Sequence, residues 1–192
     1  MKKRLTLLML VLLLVSCAPK GKEIPLDAYV HCLEQDMDVV VENVEKTGIT
    51  LNQTDHFFWE AKDAVKYKNI TMDLLMSFDE DRTLNMYTFQ YKHEDTKKSR
   101  EAATVIYDEL LEKYGEPQAG TLVGYSDWDE IWDVFLEEAK KSGAVQNGAH
   151  FTQLSAVWAE ENCIFTVFLY EDEKNMDILV QYHVPDLGAD NE

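Results

Sequence analysis

The stretch ITMDLLMSF, residues 70–78, sets the tightest limit on how this chain folds. Ile70, Met72, Leu74, Met76 and Phe78 lie two apart, so an extended strand puts all five on one side, whereas a helix would scatter them around its circumference. After an acidic turn, Tyr87, Phe89 and Tyr91 resume the same period, and the two runs are predicted to form a β-hairpin. A shorter strand is expected before them, around Phe57, Phe58 and Trp59. Three more are expected in FTQLSAVWA, CIFTVFLYE and MDILVQYHV. In the second of these, Cys163, Phe165, Val167 and Leu169 alternate with Ile164, Thr166, Phe168 and Tyr170. Both sides of that strand are apolar, which places it inside a sheet rather than at its edge.

Helical spacing governs the segments between. Leu26, Val30, Leu33, Met37, Val40 and Val44 recur at steps of four and three, which predicts one helix beginning near Asp27 and ending at Gly48. The β-branched run Val39-Val40-Val41 works against it. Lys97 to Tyr114 is a second helix, with Ala102, Ala103, Ile106, Leu110 and Tyr114 on one side and Gly115 then Pro117 as its stop. A third is expected in SDWDEIWDVFLEEAKKSG. There Ser126 or Asp127 caps the start, Trp128, Ile131, Trp132, Phe135 and Ala139 form the apolar stripe, and Gly143 ends it.

The acidic turn occurs twice. FDEDRTLNMY from Phe78 aligns with YEDEKNMDIL from Tyr170, pairing Asp79-Glu80-Asp81 with Glu171-Asp172-Glu173, Arg82 with Lys174, Leu84 with Met176 and Met86 with Ile178. Each copy follows an apolar strand and a Trp-containing segment, FFWEA or AVWAE. The predicted fold is α+β, an antiparallel sheet of about six strands with helices on one face, built from two α-β-β-β units at 26–93 and 97–184. In element order alone it resembles the tandem domains of β-lactamase inhibitor proteins and of small envelope lipoproteins. The resemblance assigns no residue a role.

The address is written at the other end of the chain. Lys2, Lys3 and Arg4 precede an apolar run from Leu5 to Val15, the layout of an export signal and too short for the roughly 20 residues a spanning helix needs. Leu14-Val15-Ser16-Cys17 resembles the lipobox of bacterial lipoproteins. That resemblance implies removal of a signal at 1–16, acylation of the Cys17 thiol, and a lipid-anchored tether at 17–25 carrying a single domain at 26–184. The anchored protein would face outward from a cell membrane or outer membrane, and an acidic tail at 185–192 completes the chain. Loss of the three leader cations leaves 15 basic residues against 36 acidic, a net charge of −21. Such a surface disfavours nucleic acid, which is bound by clustered Lys and Arg that displace counterions. Cys32 and Cys163 are expected to remain buried thiols, although an exported chain permits a disulfide.

Catalytic signatures are sparse. The five histidines follow no H-x-H or H-E-x-x-H spacing for zinc, and neither a nucleophile elbow nor a phosphate-cradling glycine loop occurs. Consecutive acids in a tight turn point in different directions, unlike the alternating ligands of a calcium loop, so no metal or cofactor is expected. The chain is therefore expected to act by binding an envelope protein or peptide rather than by catalysis. Tyr125, Trp128 and Trp132 are the candidate anchors, with helix-packing core residues as the competing role for all three. The rival functions are a hydrolase using paired carboxylates and a structural subunit of an envelope complex.

Overall fold

The structure is a computed structural model that describes residues 21–124, 131–132, 144–146, 149–170 and 176–184. Nine strands form a single sheet: β1 (Lys22–Glu23), β2 (Asn52–Gln53), β3 (Phe58–Tyr67), β4 (Ile70–Phe78), β5 (Leu84–His93), β6 (Ala144–Gln146), β7 (Ala149–Trp158), β8 (Cys163–Tyr170) and β9 (Met176–His183). Their order is β1-β3-β4-β5-β9-β8-β7-β6, with β2 beside β3. The β1–β3 pair is parallel and the others are antiparallel. The α+β architecture read from the sequence is thus present. The sheet carries more strands than expected because short edge strands extend it.

Two α-helices lie among the described residues, α1 (Met37–Lys46) and α2 (Thr96–Tyr114). The Asp95 carboxylate accepts from the backbone N–H groups of Lys97 and Lys98, and Gly115 ends α2 at φ 75°, a conformation costly for any residue with a Cβ. The first predicted helix is broken in two. Val30–Cys32 is a 3₁₀ turn, the chain reverses through Glu34 at φ 64°, and Asp36 caps a fresh start at Met37. The first piece does not keep the expected stripe: Val30 is 39% exposed and Leu33 only partly buried, and Cys32 turns inward instead, whereas Leu26, Met37, Val40 and Val44 are in the core as the spacing predicts.

Two further expectations change. The strand placed around Phe57–Trp59 runs ten residues to Tyr67, and the ladder to β4 shifts register between Ala61 and Val65, where Asp63 has φ 51°. That bulge breaks the period-two signal. Residues 22–24, expected in the tether, instead join the domain: Lys22 and Glu23 pair with Val65 and Lys66, and Ile24 is buried. The leader with Cys17, most of the third predicted helix, the second acidic turn and the acidic tail lie outside the described residues.

The sheet has one deeply buried face. Leu74, Phe89, Val180, Phe165 and Ala156 stand opposite one another in successive strands, and each is fully buried. A second row passes through Met76, Tyr87, Tyr182, Cys163 and Trp158. Helix α2 packs across these rows, with the Tyr107 ring 5.5 Å from Phe165 and 5.9 Å from Trp158. Val40 and Val44 of α1 join the same core.

Candidate functional site

Alternation along each strand sends every second side chain to the opposite face. There Leu75 stands beside Thr88, Thr88 beside Gln181, and Gln181 beside Ile164; the neighbouring row runs from Asp73 through Gln90, Leu179 and Thr166 to Ser155. Leu75, Met86, Gln90, Leu179 and Gln181 remain partly exposed, whereas their sequence neighbours on the other face are buried or nearly so. Near the β3 side, this open face sinks into a groove of about 320 Å³ whose walls include Phe58, Trp59, Leu75, Met86 and Leu179. Apolar side chains make most of it.

Its polar groups are mostly neutral amides and hydroxyls. Gln181 Nε2 lies 3.5 Å from Thr88 Oγ1 and 3.4 Å from Met86 Sδ, contacts long enough to yield to a better partner. Gln90 Nε2 donates to Asp177 Oδ2 at 3.4 Å, and Lys92 lies 3.7 Å from the same carboxylate oxygen. Trp59 Nε1 is buried in the groove wall with no hydrogen-bond partner among the described residues. Glu60 is the single carboxylate among the lining residues, and Lys62 stands 3.5 Å from it. The arrangement suits an apolar ligand or side chain carrying a few amide or hydroxyl groups. It does not offer the two facing acids that carboxylate-dependent hydrolysis requires.

A second cavity, about 360 Å³, lies between the start of the domain and α1 and is lined in part by Tyr29, His31, Cys32 and Thr47. Cys32 Sγ is 3.4 Å from His31 Nε2. Burial nevertheless pushes the Cys32 thiol up from its usual range, the reverse of what a thiolate nucleophile needs. Cys163 is more deeply placed, and burial raises it to about 12 despite a hydrogen bond from Tyr182. Both cysteines are free thiols, as expected. No group of three or more His, Cys, Asp or Glu side chains among the described residues is placed to hold a metal ion.

The first acidic turn has a structural job. Asp79 accepts from Thr83 N at 2.8 Å and from Thr83 Oγ1 at 2.6 Å, bonds that hold its carboxyl below the ordinary range. Arg82 adopts φ 64°, its carbonyl accepts from Met37 N, and its guanidinium reaches Asp38 Oδ1 at 2.7 Å. The turn thereby fastens α1 to the hairpin.

Of the three candidate anchors, Tyr125 and Trp128 lie outside the described residues. Trp132 is 3% exposed, with the Arg100 guanidinium 4.9 Å from the centre of its ring. It is a core residue, so it is corrected as a surface anchor. The preceding loop is also committed to the fold: Gln118 N and Leu122 N donate to Val157 O and Ser155 O along β7, and Leu122 is fully buried. The groove residues were not singled out from the sequence. Their signal was present, since they are the alternate positions of the strands that were predicted, but periodicity cannot show whether a helix covers a face. No family model matches the chain, and no curated protein or solved structure is significantly similar to it.

Proposed function

We propose that the protein is a lipid-anchored binding module of the bacterial cell envelope, held outside the cytoplasm through Cys17 and engaging an envelope protein or peptide with the open face of its sheet. The observation that carries the binding role is the apolar groove beside Leu75 and Leu179, which no helix among the described residues covers, on a face whose opposite side is packed. A side chain entering it would exchange water for Leu, Met and aromatic surface, at about 25 cal/mol per Å² buried. The lipobox at residues 14–17 supports the anchor. Two or more acyl chains give durable attachment, since each buried methylene contributes about 0.8 kcal/mol.

The same reading includes an internal duplication. The meander β3-β4-β5 meets the meander β9-β8-β7 through their last strands, so the order runs symmetrically outward from the β5–β9 pair. The alignment of the acidic turns matches Thr88 with Val180 and Phe89 with Gln181, while the ladder joins Thr88 to Gln181 and Phe89 to Val180. A two-fold axis normal to the sheet would keep each side chain on its own face, whereas this one-residue offset matches Thr88 on the open face with Val180 on the packed one, so the symmetry supports a repeat of strand order and not of the residues of β5 and β9.

The test places a photo-cross-linking amino acid at Leu179 in the full chain in its native cell, with Glu112 on the exposed side of α2 as control. A discrete adduct at 179 and none at 112 is expected. Equal, diffuse labelling at both positions would refute a binding groove. In parallel, Cys17→Ser is expected to move the protein out of the membrane fraction, and retention would refute the anchor.

A further inference from the structure

Two neighbouring aromatics, Phe57 and Phe58, are 38% and 50% exposed at the tip where β3 begins. Their display is built rather than loose. Thr54 N and Asp55 N both donate to Phe58 O, and Phe78 N donates to Phe57 O at 2.8 Å, so the backbone carrying the rings is tied to the end of β4. Leaving two large apolar rings in water on an ordered backbone is unfavourable unless something covers them.

The anchor indicates what that is. Because β1 runs parallel to β3 with Lys22 opposite Val65, the chain traced back from Lys22 points toward the Phe58 end of β3. Val65 lies seven residues from Phe58, about 23 Å at the rise of an extended strand. Cys17 precedes Lys22 by five residues, a reach of at most about 18 Å. A fully extended connection would bring a lipid on Cys17 to within about 5 Å of the level of the aromatic tip, and a connection this short would keep the domain against the headgroups.

We infer that Phe57 and Phe58 insert into the interfacial region of the membrane that holds the anchor and fix the domain's orientation on it. This rests on the anchoring proposed above. Aromatic rings favour that depth, where an apolar body meets a polar boundary. The acids at the same end, Asp55, Glu60, Glu80 and Asp81, set the headgroup preference. They repel anionic lipid, so the contact suits a neutral surface and weakens as anionic lipid is added at low salt. Docked in this way, the sheet stands on the tip of β3, and Phe58, which also lines the groove, marks where the groove approaches the membrane.

The experiment uses the acylated full chain in phosphatidylcholine vesicles with brominated acyl chains, comparing Phe57→Trp with Val123→Trp. Val123 is 46% exposed and lies beside β7, five strands and about 24 Å from β3. Phe57 does not line the groove, so binding there is undisturbed. The fluorescence added at position 57 is expected to be quenched at least twofold and to shift to shorter wavelength, with that at 123 unaffected. Replacing a third of the lipid with phosphatidylglycerol is expected to reduce the quenching. If the Phe57→Trp protein floats with the vesicles yet is quenched no more than Val123→Trp, the inference is overturned and the anchor stands. If wild type fails to float with the vesicles, or Cys17→Ser floats equally well, the anchor fails and takes the inference with it.

Discussion

Leu74 and Leu75 are neighbours in β4 with the same side chain and different circumstances. Leu74 is fully buried between Ala61 and Phe89 under the helices, whereas Leu75 stands partly exposed between Glu60 and Thr88 in the groove. The contrast extends across the sheet. The inner rows hold Tyr, Trp, Phe and aliphatic residues at nearly zero exposure, and the outer rows mix Leu, Met and Ile with Thr, Ser and Gln and with charged Glu60, Asp73 and Asp177, Thr88 and Thr166 being buried among them. A face that only needed to be wet would carry charge throughout, and one that only needed to be dry would be covered. An intermediate composition suits a surface that exchanges water for a partner.

The inner face should be sensitive to loss of volume. Phe89→Ala removes a ring packed against Tyr87 at 5.6 Å and Tyr29 at 6.3 Å, and is expected to cost about 3–5 kcal/mol, measured by denaturant unfolding. A cost below about 1 kcal/mol would erase the distinction between the faces.

A smaller effect should appear at alkaline pH. The Cys163 thiol, raised to about 12 by burial, holds its proton in the folded protein over a range where an unfolded thiol, near about 8.5, has lost it. Its contribution is complete below about pH 8.5 and is lost as the pH rises toward 12, so stability should decline over that window. Burial also raises Tyr87 and Tyr182, which add a decline of the same sign beginning near about pH 10. Cys163→Ala is expected to delay the onset toward that of the tyrosines. An unchanged onset in alkaline unfolding curves would show that the thiol is not sequestered.

Much of the inner face was legible. Five alternating residues fix the strand at 70–78, and the stripe from Ala102 to Tyr114, with its glycine stop, fixes α2. The failures have local causes. The spacing from Leu26 to Val44 reads as one continuous helix, but the 3₁₀ turn and the reversal at Glu34 interrupt it, turning Val30 outward and Cys32 inward before the short helix starts at Met37. In β3, the bulge and the charged positions Glu60, Lys62, Asp63 and Lys66 conceal a long strand behind a short aromatic signal. The groove was less accessible still, because it arises where Leu75, Met86 and Leu179 from three strands converge on a face that no helix among the described residues covers. Aromatic residues drew attention instead, and Trp132 is one that the fold uses internally.

The most direct test makes the same change on both faces of β4. In chains carrying the cross-linker at Leu179, Leu74→Ala is expected to lower stability by about 3 kcal/mol and, where the protein remains folded, to leave the adduct intact. Leu75→Ala is expected to lower stability by about 1 kcal/mol or less and to reduce the adduct severalfold. An adduct that survives Leu75→Ala at full yield, or is lost equally with both substitutions in folded protein, would contradict a division between a face that holds the fold and a face that binds.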